Sequence, residues 1–413
     1  MLKLRTIQLS VLLAVAFICP ARAQYAHTQH KQIVDGNGKP LLIHATNLGN
    51  WLVPEGYMWL FQDGPQSPSE IRALVLELLG PDESQAFWKK YRENYVTAED
   101  IVLLHRAGLN AIRVPMHYSL FDSDDAEGFK LLDEVIRWSR AEGLYVILDL
   151  HAAPGGQTGA NIDDSAGYPW LYRSPQEQEH LFTIWRRVAT RYRDDPTVLG
   201  YDLLNEPIPH FEQIRSLNPY LEPLYKRLSA EIRKVDTHHI FFLGGAQWDG
   251  NFAVFGKPFD SNAAYTFHKY WTAPDESVIK QYIDFRDRYD VPIWMGESGE
   301  NTDEWISQFR NTLEKNDIGW AFWPYKKMEK SSAVVSIIPP ADWSKIIEFA
   351  KLPRGTAHVE QRLKARPDQE TITRAFADLL EKVRLQNCRL NSGYLRALGM
   401  NADISVGSAA GGR

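Results

Sequence analysis

The sequence predicts a single (β/α)8 barrel, and three observations carry that prediction. Eight short β-branched or apolar runs recur between Leu42 and Trp323, amphipathic segments separate most of them, and glycines fall where several of those segments should end. Strands joined by helical crossovers pair in parallel, and eight is the number that closes a barrel. On periodicity alone, an open doubly wound sheet is the alternative.

Met1 to Ala23 reads as an export signal: Lys3 and Arg5, then the apolar stretch Val11–Ile18, then Ala21-Arg22-Ala23 as a cleavage site. That stretch falls well short of the ~20 residues needed to span a bilayer. The mature protein is therefore expected to be secreted or periplasmic, with no membrane attachment once the signal is removed. Removal leaves Cys388 as its lone cysteine, so no internal disulfide is expected. The domain reading is a signal over 1–23, one barrel domain over 24–385, and a C-terminal tail over 386–413 that is flexible at its end.

Ile33–Ile43, with Asp35-Gly36-Asn37-Gly38 at its turn, is expected to form a hairpin capping the barrel bottom. The strands are read at Leu42–Thr46, Ala111–Pro115, Tyr145–Leu150, Gly200–Leu204, Ile240–Leu243, Ala264–Phe267, Pro292–Met295 and Gly319–Trp323. Helical spacing of apolar residues marks Phe129–Ala141, Glu177–Tyr192, Leu221–Val235, Val278–Tyr289, Thr302–Lys315 and Glu370–Leu385. Ser174-Pro175 and Thr302-Asp303 supply capping chemistry, and Gly108 and Gly143 sit where helices should stop.

The charge balance, 46 Lys plus Arg against 52 Asp plus Glu, argues against a nucleic-acid partner and suits an uncharged ligand. In a barrel of this kind chemistry gathers at the C-terminal strand ends. There the sequence places Arg113, His151, Asn205-Glu206-Pro207, His268, Tyr270, Glu297 and Trp323. Any one has a bland structural explanation; so many on one rim point to a site. Glu206 and Glu297 should face each other across the mouth, and a carboxyl pair flanking the scissile bond is what glycosidic cleavage requires. One must hold a proton and the other stay ionised, so their surroundings must differ. Arg113 is placed to hold one ionised, Asn205 offers an amide to a sugar hydroxyl, His268 and Tyr270 orient or tune the nucleophile, and Trp323 gives a pyranose a flat face.

These residues, together with Ile33–Pro40, Asn47-Leu48-Gly49-Asn50-Trp51-Leu52, Gly108–Pro115, Asp149-Leu150-His151, His268-Lys269-Tyr270, Gly296-Glu297 and Trp320–Trp323, resemble glycoside hydrolase family 5 in the right order over about residues 30 to 350. The resemblance implies a TIM barrel and a retaining mechanism. It assigns Glu206 as acid/base and Glu297 as nucleophile, with Arg113, His151, Asn205, His268, Tyr270 and Trp323 in support. No metal or cofactor is implied. Retention requires carboxyl groups about 5–5.5 Å apart, against ~6.5–9.5 Å for inversion.

The favoured substrate is a β-1,4- or mixed-linkage glucan, with a β-1,3-glucan or mannan second. Trp51, Trp59, Trp170, Trp248, Trp271 and Trp323 are candidate sugar platforms, whereas Trp88, Trp138, Trp185, Trp305 and Trp343 fit helix packing. The glycine-rich insert Ala153–Ser174 is long for a strand–helix connection and is a candidate wall of the cleft. A metal-dependent hydrolase built on Asp149, His151 and His268 lacks H-x-H and H-E-x-x-H spacing and leaves the glutamates idle. A non-catalytic glycan-binding protein would keep the aromatics but need no Arg-supported carboxyl pair, and no G-x-S-x-G supports a serine hydrolase.

Overall fold

The structure, a computed structural model, describes residues 25–165 and 167–406. The expected export signal, 1–23, lies outside the described residues. Strands β1 (His27–Gln29) and β2 (Gln32–Val34) form an antiparallel hairpin. The capping hairpin therefore begins earlier than Ile33–Ile43. Beyond Val34 the chain does close the expected turn: an antiparallel bridge of Val34 to Pro40 is flanked by Asp35 N donating to Lys39 O and Leu41 N to Ile33 O, and the Asp35 side chain accepts the amides of Asn37 and Lys39. The tight turn between β1 and β2 uses His30 at φ 54°, a residue type that does not announce a turn as glycine does. Thr28 ties this hairpin to Asn262, just ahead of a barrel strand's N-terminal end.

The eight barrel strands are β3 (His44–Asn47), β4 (Ala111–His117), β5 (Tyr145–Ala152), β6 (Val198–Asp202), β7 (Ile240–Gly244), β8 (Ala263–Tyr270), β9 (Ile293–Gly299) and β10 (Gly319–Trp323). They close in that order, β10 pairing back onto β3, with every neighbouring pair parallel. This is the (β/α)8 barrel expected from the sequence, and it removes the open-sheet alternative.

Inward-facing positions change character along the strand axis. Ile43, Ala45, Ala111, Ile147, Ile240, Phe242, Ala264, Trp294 and Ala321 belong to one apolar cluster in the barrel floor. Small and large side chains alternate there, as interdigitated layers require. Strand side chains repeat every two residues, so the same faces carry Asn47, Arg113, Asp149 then His151, Thr266 then His268, and Trp323 toward the C-terminal end. Most of these are polar and all are buried.

The helical jacket comprises α4 (Glu127–Glu142), α5 (Pro175–Tyr192), α6 (Asn218–Arg233), α7 (Lys280–Tyr289) and α8 (Asp303–Lys315). Ser174 and Thr302 cap α5 and α8 by accepting the amides of Glu177 and Trp305. The long β3–β4 connection holds α1 (Pro68–Leu79), α2 (Pro81–Tyr95) and α3 (Ala98–Ala107). Ser67 with Glu70, and Thr97 with Asp100, form capping boxes at the starts of α1 and α3. After β10, strands β11 (Lys326–Met328), β12 (Val335–Ile337) and β13 (Arg389–Leu390) make a small sheet. Helices α9 (Trp343–Ala350), α10 (Val359–Ala365) and α11 (Gln369–Lys382) separate β12 from β13 along the chain, and α12 (Ser392–Ala397) follows β13. Cys388 is a buried free thiol. Leu395 and Leu398 are fully buried, and Asn401 donates its amide to Ala107 at the end of α3.

Candidate active site

A cavity of about 690 Å³ opens at the C-terminal end of the barrel, lined by Glu206, His268, Tyr270, Glu297, His151 and Trp323 among others. Beneath it lies Arg113, fully buried. Its Nε donates to Asp202 at 2.9 Å, Nη1 to Glu297 at 2.5 Å and Asn47 at 3.0 Å, and Nη2 to Asn205 at 2.9 Å. Asp149 lies 3.1 Å from Nη2 and also contacts His151 Nδ1 at 2.8 Å. Burial opposes the Arg113 cation, but Asp149, Asp202 and Glu297 outweigh it and raise its pKa. Burial pushes the two aspartates up to about 7, with Arg113 pulling the other way.

The two glutamates meet. One carboxylate oxygen of each, with a nitrogen of His268, falls within a cluster whose atoms are all within 4.8 Å of one another. A register shift between Phe267 and His268 pairs His268 with Glu297 across β8 and β9. His268 Nδ1 stands 2.9 Å from Glu206 Oε1, and Tyr270 donates its hydroxyl to Glu297 Oε2 at 3.1 Å. The surroundings of the pair are unequal: Glu297 faces a guanidinium and a phenol, Glu206 an imidazole. Burial raises Glu206 to about 7, with His151 and Arg113 opposing. Burial also lowers His268 to about 3 and His151 to about 4, so both imidazoles are neutral near pH 7. The same burial keeps the Tyr270 phenol protonated.

Glu206 stands on a left-handed backbone at φ 48°, and Ile208 at φ 54°. Such conformations cost about 1–3 kcal/mol each in non-glycine residues and persist only when neighbours hold them. The buried Asp249 accepts the Glu206 amide at 3.2 Å, and Gln157 O accepts that of Ile208 at 3.0 Å. The Gln157 side chain donates to both His151 O and Asn205 O. Gln157 lies in the glycine-rich insert, whose Ala160, Asn161 and Ile162 line the cavity. Asp163 pins the insert by accepting the amides of Gln157 and Thr158, and Asp164 by joining Ser69, Arg72 and His117. The insert walls the cavity.

Of the nine site residues expected from the sequence, the structure brings Glu206, Glu297, Arg113, His151, Asn205, His268, Tyr270 and Trp323 together. Trp323 lies parallel to His151, ring centroids 5.6 Å apart, and donates to Tyr57 at 2.7 Å. Trp51 is not brought to the cavity: its ring is buried and its N–H donates to Arg92 O on α2. Trp59 is likewise core, bonded to Asn50, whereas Trp248 and Trp271 line the cavity. Asp202, Asp249, Gln157 and Glu55 also belong to this site and are not marked by any motif of the sequence. Asp202 carried a signal, a lone charge in an apolar strand; the others sit in loops with no pattern to mark them. Carboxylate and imidazole donors also suit metal ions. Here, though, Arg113 already engages Glu297 Oε1 and Asp149 Oδ1, where a dication would meet a fixed cation.

A sequence profile described as Cellulase (glycosyl hydrolase family 5) matches residues 78–329. "Beta-xylosidase" of Phanerodontia chrysosporium is 29% identical over 348 residues, covering 73% of this chain and 71% of that protein. "Probable glucan 1,3-beta-glucosidase A" of Aspergillus niger is 30% identical over 224 residues, 51% of this chain and 53% of that protein, so the chain spans about half its length. The crystal structure of endogalactoceramidase shares the fold, with a TM-score of 0.58 over 91% of this chain and 84% of that one, at 16% identity.

Proposed function

The chain belongs to glycosyl hydrolase family 5, and from that premise we propose that it is an exported, retaining enzyme cleaving β-glucosidic bonds in β-glucans, with Glu206 as acid/base and Glu297 as nucleophile. The observation that carries the reading is the pair itself: two carboxylates within 4.8 Å across one cavity, one raised by burial to about 7, the other facing a guanidinium and a phenol. One oxygen of each within 4.8 Å supports the short separation that retention uses over the longer one of inversion.

In the first step Glu297 attacks the anomeric carbon. Glu206 gives its proton to the departing oxygen, the glycosidic C–O bond breaks, and a glycosyl ester forms on Glu297. In the second, Glu206, now a carboxylate, takes a proton from water as that water attacks the same carbon and releases Glu297. Two inversions leave the sugar β. Arg113 and Tyr270 hold the nucleophile in line, and the neutral His268 orients the acid. A β-1,4- or mixed-linkage glucan is the favoured substrate. The similarity to the 1,3-β-glucosidase supports a β-1,3-glucan as the second reading.

Chromatography of products from barley β-glucan, cellulose, laminarin and mannan, with ¹H NMR of the first anomer released, tests this. The β anomer is expected first; an α anomer, or no sugar release from any of the four, rejects the reading. The pH dependence follows from the acid. Glu206 must be protonated to begin, and burial places it at about 7, so kcat/KM is expected to fall as pH rises through about 7. A profile flat to pH 9 would argue against Glu206 as the acid.

A further inference from the structure

Just after β7 the backbone is strained. Gln247, Trp248 and Asp249 are consecutive and all left-handed, at φ 55°, 56° and 59°. L-residues visit that region singly, and a run of three without glycine is costly. Asp249 N donating to Gly245 O at 3.1 Å and Asn251 N to Ala246 O at 2.8 Å hold the turn. Gly244, the last residue of β7, leaves room for what the turn delivers: a Cβ there would stand 1.8 Å from Asp249 Oδ1. Gln247 and Trp248 reach the cavity lining, but Asp249 is fully buried. Strain that neighbours over-determine clusters where the placement of a group matters.

Asp249 Oδ2 touches the acid's surroundings twice. It accepts the Glu206 amide at 3.2 Å, and His268 Nε2 lies 3.3 Å away. Among the described residues no better-placed partner takes that nitrogen. The other ring nitrogen, Nδ1, stands 2.9 Å from Glu206 Oε1. The direction of the protons follows from the donors. A backbone amide only donates, so Oδ2 is an acceptor there, and an acceptor beside Nε2 favours a proton on Nε2. The ring is neutral near pH 7. Nδ1 then holds a lone pair, and Glu206 Oε1 must supply the hydrogen between them. Burial and the Asp202 and Glu206 carboxyls push Asp249 itself well up, so it adds no charge beside the acid. We infer that Asp249 is a positioning residue for the acid: through Oδ2 it holds the Glu206 backbone and keeps the His268 proton on Nε2, which leaves Nδ1 to accept the hydrogen of the Glu206 carboxyl and keep it in place for the departing oxygen. The inference rests on Glu206 as acid/base, proposed above.

Histidine-selective ¹⁵N NMR reads the ring directly, with the His268 signal identified by its loss in His268→Asn. The parent is expected to show the Nε2–H form. Asp249→Leu, of similar size but with no acceptor, is expected to lose that form, and Asp249→Asn, whose amide oxygen can replace Oδ2, to keep it. In kinetics, Asp249→Leu is expected to lower kcat/KM on the preferred β-glucan about 100-fold. On a 2,4-dinitrophenyl β-glycoside, whose leaving group needs no proton, the change should stay within about threefold. Asp249→Asn should recover most of the loss. A parent ring protonated on Nδ1, equal losses on the two donors, or no loss at all overturns the inference. Glu206→Ala separates it from the reading beneath it. If that variant does not distinguish the donors, Glu206 is not the acid and both fall; if it does and Asp249→Leu does not, the inference alone falls. Should Asp249→Leu fail to fold, the parent spectrum still upholds or overturns it.

Discussion

Glu297→Ala is expected to lower kcat on the preferred β-glucan by ~10⁴-fold or more, and sodium azide is expected to restore turnover with an α-glucosyl azide as product. The truncation removes the group that would attack the sugar and opens a small space between Arg113 Nη1 and the Tyr270 hydroxyl, the two donors it served. A small anion suits that space. Its attack comes from the face Glu297 used, with no second displacement to follow, so the configuration inverts once. The fold should survive, because Arg113 keeps Asp149 and Asp202 as counter-charges. NMR of the azide product decides the matter. A β-azide would mean that the anion enters from the other face, and a variant that keeps its rate without azide would remove Glu297 from the chemistry.

Most of the barrel is legible in the sequence because its signals are local. An apolar run of five residues followed by an amphipathic segment states its own structure, and eight repeats state the closure. The rim could be read for a related reason. Strand side chains alternate, so once Ala111, Ile147 and Ala264 are assigned to the floor, Arg113, Asp149 and His268 must rise above it. What stayed hidden depends on contacts between distant segments. Trp51 sits in a motif shared with the site, yet its N–H turns to a carbonyl on α2, and nothing near it in sequence says so. Asp249 and Gln157 support Glu206 from loops 43 and 48 or more residues away along the chain. Their roles follow from the left-handed backbone they hold, which is not visible until the turn is folded.

Arg113→Met should be the most destabilising single change at the site, by about 3–5 kcal/mol near pH 8, because it leaves buried carboxylates without their cation. Met fills much of the same space, so the loss reflects charge more than cavity. The effect has a definite pH dependence. Asp149 and Asp202 already have folded-state values of about 7, above their ordinary range, with Arg113 still present. A carboxyl raised on folding favours the folded state when protonated, and it weakens stability as pH rises toward and through the folded value. Without Arg113 the values rise further. The stability gap between variant and parent should therefore widen from pH 5 to pH 8, as urea midpoints at each pH would measure. Arg113→Lys separates charge from shape. It restores a cation but not the planar fork that reaches Asp202, Asn47, Glu297 and Asn205 together. That variant is expected to recover much of the stability and little of the kcat. A gap that stays constant with pH would show that the guanidinium acts here by packing, and that the carboxylates beneath the cavity hold the same protons with it as without it.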